Sequence, residues 1–231
     1  MLKLINPQAT PAAQRLYHYL SSLPSGSILT GQHNFPATIS LSYDRVHALT
    51  GKYPAVWGQD FGFAAQDDKD SIYARDQIVE EVIRQHQNGA IITLMWHAVR
   101  PTDDEPGTFE SNVLTRISTQ TYADLVTPGS EVYKRWLTQT DVIAGYLKRL
   151  HAADIPVLWR PYHEMNGAWF WWGARRGSRF IDLWKQHYHY LTEHHGLNNL
   201  VWVWNTNAPN SRKVKSYKTL YPGDDYADVL A

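Results

Sequence analysis

Short apolar runs alternate along this chain with longer stretches in which apolar residues recur every three or four positions. The runs read as strands over residues 27–34, 54–62, 90–98, 156–164, 200–207 and 227–231. Most begin with apolar residues and end in polar ones. Between them, Ile78, Val79, Val82 and Ile83 make a helical stripe that stops at Asn88-Gly89, a C-cap signal. Tyr133, Trp136, Ile143, Leu147 and Leu150 make a second stripe, and Ile181, Trp184, Tyr188 and Leu191 a third before Gly196.

Alternating strands and helices imply parallel strands joined by right-handed crossovers, either as an open doubly wound sheet or as a (β/α)8 barrel. An open sheet usually carries a Gly-rich phosphate turn after its first strand, and "GQHNFPA" is not one. A barrel places its chemistry where strands end. Here the strands end in His33 and Asn34, Gln59 and Asp60, His97, His163 and Glu164, and Asn205 and Asn207. The pattern therefore predicts an α/β fold of the (β/α)8 TIM barrel type. A closed barrel needs eight strands and typically about 250 residues, whereas only about five and a half strand-helix units fit here. Residues 1–231 are thus expected to form one barrel domain that is C-terminally incomplete. The long segment 99–130, rich in Pro, Thr, Asp and Gly, is expected to be a loop that shapes a cleft on the catalytic face, with a disordered insertion as the alternative.

Lys plus Arg and Asp plus Glu each number 22, so no net field favours nucleic acid or an anionic membrane, and a neutral partner is expected. The 10 Trp and 14 Tyr against 6 Phe favour rings with a polar handle, which can pack in a core or offer a flat face to the C–H patches of a sugar. The absence of Cys removes disulfides, Cys-zinc sites and thiol nucleophiles together. No apolar run reaches the roughly 18 residues of a membrane span. The apolar cluster before Asn6 and Pro7 is too short for a signal-peptide core, which leaves two expectations: a secreted protein whose leader is already gone, or an intracellular one.

The densest chemistry lies in "LWRPYHEMNGAWFWWG" at 158–173. Aromatic walls that exclude water raise the pKa of a carboxyl, and Glu164 set among them could donate a proton to a leaving group. The competing reading is a rim salt bridge from Glu164 to Arg160, Arg175 or Arg176. Weaker signals surround this motif. "KQHYHYLTEHH" holds His187, His189, His194 and His195, but its spacing mixes helix faces, so a solvated face is expected in preference to a metal site. "DDKD" at 67–70 lacks the spacing of a calcium loop and is expected to cap a helix that begins near Ser71. "RRGSR" at 175–179 is too short and isolated for a nucleic-acid site.

The motif "WRPYHEMNGAWFWWG" resembles glycoside hydrolase family 26, retaining endo-acting (β/α)8 enzymes dominated by β-mannanases. Further similarity follows in chain order through "GQHN", "WGQDFG", "MWHAVRP", "VWVWNTNAP" and "YPGDDYADV". The resemblance implies Glu164 as general acid/base, His163 as its sugar-contacting neighbour, and Trp169 as the tryptophan beside the scissile bond. His97 matches a substrate-binding histidine, with a satisfied core histidine as the alternative. Of the adjacent Trp171 and Trp172, which cannot both face one cleft from an extended segment, Trp172 is placed with the substrate-binding set. Asp60 and Asn205 join that set by orienting their neighbours. Segment 99–130 has no Trp, so an aromatic platform there would fall to Phe109 or Tyr122. The implied activity is hydrolysis of β-mannan or a related neutral polysaccharide by a monomer without cofactor or metal. β-1,3-Xylan and mixed-linkage β-glucan remain alternative substrates. The family's nucleophile, a glutamate ending strand 7, is expected downstream of residue 231. A truncated barrel that binds glycans without cleaving them is the alternative from another class.

Overall fold

The computed structural model describes residues 3–173, 179–209 and 214–231. Its frame is a curled sheet of six parallel strands, β1 (Gly31–His33), β2 (Val56–Asp60), β3 (Ile91–Trp96), β4 (Val157–Pro161), β5 (Leu200–Trp204) and β6 (Val229–Leu230), each paired with the next in chain order. Such sequential parallel pairing, with helices in the connections, is the arrangement of part of a TIM barrel. Every predicted strand is present but shorter than its sequence pattern. The run 156–164 leaves the sheet at Pro161 because Tyr162 and Glu164 adopt left-handed φ values of 46° and 54°. The run 54–62 likewise ends at Asp60, before Gly62 turns with φ 70°.

The three helical stripes fold as α3 (Arg75–Gln87), α5 (Glu131–Ala152) and α6 (Arg179–His189). Three further helices gave no clear stripe: α1 (Pro11–Ser21), α2 (Leu41–Thr50) and α4 (Thr119–Leu125). Each has a local reason to be helical or a small buried face. Thr10 accepts from Ala13 N and Pro11 sits in the first turn of α1, while Ser118 accepts from Thr121 N at the start of α4. Only Tyr43 is buried on α2, and α1 buries just Ala12, Ala13 and Leu16. No helix among the described residues is long and apolar enough to cross a membrane.

The two faces of the sheet have separate tasks. On the convex side Trp57, Ile92, Leu94, Trp159 and Trp202 pack beneath the helices against Ile78, Val82, Ile143, Leu147 and Trp184. Each such fully buried large side chain contributes roughly 1.5 to 3 kcal/mol. On the concave side Gly58, Thr93, Leu158 and Val201 lie in register, and Ala13 and Leu16 of α1 pack against Val201 from below. Two residues further along, the same face carries Asp60, Met95 and Arg160 in register. Polarity therefore rises towards the carboxyl ends of the strands, where the cleft opens.

Segment 99–130 is structured: it holds a π-helical turn (Phe109–Val113) and α4. The 67–70 stretch does not cap α3. Ser71 caps a short 3-10 turn (Ile72–Ala74) that leads into α3, while Asp68 accepts from Asp70 N within its own loop. Arg175 and Arg176, and most of the 175–179 stretch, lie outside the described residues.

The expected solvated face of the histidine-rich segment is corrected in part. His189 is exposed and contacts Glu193, but His187 has no solvent-accessible surface, because it follows Phe180, Leu183 and Trp184 on the core side of α6. Trp159 Nε1 donates to His187 Nε2 at 3.3 Å, so the ring carries its own proton on Nδ1, which has no partner. Trp136, Tyr162 and Trp202 surround it. Among the described residues, no group of three or more His, Cys, Asp or Glu side chains is arranged to hold a metal.

Burial holds His187 down to about 3 from an ordinary value of 6.5. The unfolded ring binds a proton below 6.5 and the folded ring does not until about 3, so this group's contribution to stability is lost as pH falls through that window, by about 1.4 kcal/mol per unit. His187→Gln, which keeps an acceptor for Trp159, is expected to flatten the dependence of unfolding free energy on pH between 6.5 and 4 relative to wild type. Urea titrations across that range measure the difference, and parallel curves would contradict it.

Candidate active site

The site begins with the turn that ends β4. Left-handed backbone at two non-glycine residues costs of order 1 to 3 kcal/mol each and persists only where the surroundings over-determine it. Here Glu164 N donates to Asn205 O at 2.8 Å, Gly167 N to Glu164 O at 2.9 Å, and Trp136 Nε1 to Tyr162 Oη at 2.8 Å. The buried Asn166 clamps the facing loop, donating to Asn207 O and Lys215 O and accepting from Asn207 N. The turn lifts the Glu164 side chain off the sheet and into the cleft.

Two N–H groups hold the carboxylate. Trp169 Nε1 donates to Oε2 at 3.1 Å and Asn207 Nδ2 to Oε1 at 2.9 Å. Trp169 is itself placed by Gly167: a Cβ there would lie 2.2 Å from the indole ring, so only glycine lets the ring settle on the backbone. The alternative salt bridge to Arg160 is not formed. Arg160 instead donates through Nε, at 3.2 Å, and Nη2 to the amide oxygen of Asn205.

His97 follows β3, and its Nδ1 donates to Asp60 Oδ2 at 2.7 Å. The other Asp60 oxygen accepts from Gly62 N at 2.5 Å. Burial works against a charged Asp60, but the His97 ring, the bond from its Nδ1 and the Gly62 N–H outweigh it and hold this carboxyl below the usual range. With Nδ1 committed to an anionic acceptor, His97 turns Nε2 to the cleft, to which its ring contributes. His163 meets His97 edge-on with ring centroids 4.5 Å apart, and Phe170 and Trp172 close its other sides. Burial, then the neighbouring His97 and Arg160, push His163 well below an ordinary imidazole, which keeps it neutral.

Together these groups line a cleft of about 690 Å³ at the carboxyl ends of β1 to β4, with Phe63 and Phe109 on one wall and Glu164, His163 and Phe170 on another. Phe109 therefore occupies the aromatic place left open in the 99–130 segment, whereas Tyr122 is fully buried in the core. At the far end Lys69 Nζ lies 4.2 Å over the Phe35 ring, beside Asp70. Burial and the negative charge of Asp60 raise the Asp70 carboxyl to about 6.

Of the residues singled out from sequence, Glu164, His163, His97 and Asp60 converge on this cleft, and Trp169 and Asn205 touch its members. Trp172 is placed differently. It has no exposed surface, stacks behind Phe170 at 4.4 Å and donates from Nε1 to His163 O, so it supports the wall and does not face a ligand. Trp171 is also buried, with Nε1 bound to Ala98 O. All ten tryptophans are described, nine are buried, and only Trp169 is half-exposed. Asn207 was read only as a strand end, without a role in the site, and Phe170 was given no role. The two-residue spacing of Asn205 and Asn207 carried a signal for the first, but the irregular segment 162–173 offered no period from which to read the second.

The model of glycosyl hydrolase family 26 matches residues 5–231. A mannan endo-1,4-beta-mannosidase of Thermothelomyces thermophilus is 36% identical over 99% of this chain, which spans 45% of that relative. Mannan endo-1,4-beta-mannosidase A of a Piromyces species is 34% identical over 98% of the chain and is spanned to 36%. The chain thus covers less than half the length of these relatives. Among solved structures, GH26A from Muricauda sp. MAR_2010_75 superposes with a TM-score of 0.92 at 44% identity, covering 97% of this chain and 73% of its own. The Podospora anserina GH26-CBM35 beta-(1,4)-mannanase gives 0.78 at 35% identity, covering 100% and 49%. With the family model matched from residue 5 to residue 231 and a fold shared at this level, the chain belongs to glycosyl hydrolase family 26.

Proposed function

We propose that this chain carries the acid/base side of a retaining endo-β-1,4-mannanase site acting on mannan-type polysaccharides, with Glu164 as the general acid/base. The observation that carries the reading is the placement of the Glu164 carboxyl at the end of β4, between the Trp169 and Asn207 donors and beside His163 in an aromatic-walled cleft. The names of the relatives support mannan as the substrate, as does the similarity to a β-mannanase of a termite-symbiotic protist in complex with gluco-manno-oligosaccharide (28% identity, TM-score 0.82). In this reading the polymeric substrate supports action outside the cell, with an intracellular protein as the alternative.

In this reading protonated Glu164 donates to the departing glycosidic oxygen while a second carboxylate attacks the anomeric carbon. Glu164, now ionised, then takes a proton from the water that releases the glycosyl-enzyme. The two carboxyl groups must stand about 5 to 5.5 Å apart. Asp60 is unsuited to the attack, because His97 and Gly62 N–H already take its two oxygens. In this reading the nucleophile is a glutamate outside residues 1–231. His97, through Nε2, and His163 bind the sugar beside the scissile bond, and the half-exposed Trp169 ring lies along its C–H face. Asp60 orients His97, and Asn205 orients Arg160.

A β-glucan is the second reading, favoured by a 36% identical stretch of 78 residues shared with Endoglucanase H of Acetivibrio thermocellus. Reducing-sugar release from mannan, glucomannan, β-1,3-xylan and mixed-linkage glucan separates the candidates, with mannan or glucomannan expected to be cleaved fastest. Residues 1–231 alone are expected to bind manno-oligosaccharides and turn them over little. Robust turnover by those residues alone would move the nucleophile onto a carboxylate within them, and absence of both binding and turnover would count against the site itself.

In the enzyme with both carboxylates present, Glu164→Gln is expected to slow mannan hydrolysis by roughly 10²- to 10⁴-fold. Aryl glycosides with activated leaving groups, which need little acid help in the first step, should lose much less in that step; equal losses on both substrates would remove the acid role. Gly167→Ala, by driving a Cβ into the Trp169 ring, is expected to weaken oligosaccharide binding roughly tenfold, the loss of an aromatic contact worth about 1.5 kcal/mol. Calorimetric titration measures it, and unchanged affinity would take Trp169 out of the binding surface.

A further inference from the structure

Arg75 opens α3 and is 3% exposed, and its guanidinium is engaged on three sides. Nε donates to Phe61 O at 2.7 Å and Nη2 to Gly62 O at 2.9 Å, while Nη1 and Nη2 grip the two oxygens of Glu105 at 2.7 and 2.8 Å. Stability alone is a weak reason for such a pair. Desolvating two ions offsets most of their attraction, and a cation in the first turn of a helix opposes the helix dipole. A bidentate fork does, however, fix geometry closely, because its donors are planar and rigid.

The two carbonyls it holds belong to the turn that anchors Asp60. The same Gly62 whose carbonyl meets Arg75 donates its N–H to Asp60 Oδ1, and Asp60 Oδ2 accepts from His97 Nδ1. Gly62 cannot shift toward the facing strand of chain, since a Cβ at this position would already stand 2.4 Å from Asp70 O. Glu105 lies in the loop after β3 that continues to Phe109, and Gly107 N of that loop donates to Phe63 O at 2.7 Å. One ion pair thus ties the loops after β2 and β3 together behind the cleft.

We infer that the Arg75–Glu105 pair positions His97: it fixes the Phe61–Gly62 turn, the turn fixes Asp60, and Asp60 holds His97 with its proton on Nδ1 and Nε2 toward the ligand. Arg75 and Glu105 do not line the cleft, so they are positioning residues and not catalytic ones. What they do for substrate rests on the sugar-binding role of His97; what they do to its ring does not.

Nitrogen-15 correlation spectra of the imidazoles at mildly alkaline pH test this on the 231-residue chain, with thermal unfolding as the control for folding. Wild-type His97 is expected as a single Nδ1–H tautomer. Arg75→Lys, which cannot span two carbonyls and both carboxylate oxygens, is expected to give mixed or exchange-broadened His97 tautomers, as Asp60→Ala should. Glu105→Gln leaves Arg75 on the carbonyls and is expected to lie between. If Arg75→Lys does not fold, Glu105→Gln decides. An unchanged His97 signature in the folded variants overturns the inference. In the active enzyme Arg75→Lys should raise KM for manno-oligosaccharides on the order of 10- to 100-fold with a smaller change in kcat. A shifted tautomer with unaltered kinetics on mannan would sink the substrate reading and leave the positioning role intact; an unmoved tautomer sinks the positioning role whatever the polysaccharide.

Discussion

The hydrogen bond from Glu164 N to Asn205 O is the contact on which the rest of the site depends. Paired register between β4 and β5 ends at Trp159 with Trp202, and beyond it two parallel chains would ordinarily diverge. The bond carries the contact past the end of the sheet and fixes Glu164 in a backbone conformation that only a crowded, fully bonded turn sustains. Once the strand ends are held together, Asn205 receives Arg160, and Asn207, two residues on, reaches the carboxylate itself. Arg160 is thereby bonded to a neutral amide, and the Glu164 carboxylate is held directly by two N–H donors.

Beneath the site, the tryptophans build the platform on which it rests. Their abundance invites a reading as sugar-stacking surface, yet nine of the ten are buried. Several are anchored by their polar edge: Trp136 to Tyr162 Oη, Trp171 to Ala98 O, Trp172 to His163 O and Trp184 to Tyr226 O. Three of these bonds join elements distant in sequence and the fourth, from Trp172, closes the 162–173 segment on itself, so each indole both fills volume and fixes a loop. Three of them end on residues directly beside the cleft or within the β4 turn. The stiffness needed to hold His97, His163 and Glu164 against one another therefore comes from rings that never meet the ligand.

Much of this was legible in the chain and some was not, for reasons that differ by residue. The six strands were readable because a short apolar run with a polar carboxyl end is a local property, and Glu164 stood out because its motif is contiguous. Strand ends were overextended, since nothing local says that Tyr162 and Glu164 take positive φ. Trp172 read as a ligand contact because adjacent rings were assigned alternate faces of an extended segment, while the real segment is a series of turns that buries both. His187 read as solvated because the spacing of the four histidines mixes helix faces, but its place on α6 is set by Phe180 and Trp184. Contacts between residues far apart in sequence, such as Asn207 with Glu164 or Arg75 with Glu105, leave no trace in any window of sequence.

The carboxylates of the cleft show how strongly such distant contacts decide chemistry. Asp60 and Asp70 are the same acid and line the same cleft, and burial pushes both carboxyls upward. Asp60 nevertheless falls below its ordinary value and Asp70 rises to about 6. The difference lies in the donors. Asp60 has the His97 ring and the Gly62 N–H, whereas Asp70 meets the charge that those donors have stabilised on Asp60. Fixing one anion thus makes its neighbour reluctant to ionise: Asp60 stays charged, while below about pH 6 Asp70 becomes a neutral hydrogen-bonding group. Two carboxyls pushed apart in this way come from geometry alone, since composition and spacing treat them as equals.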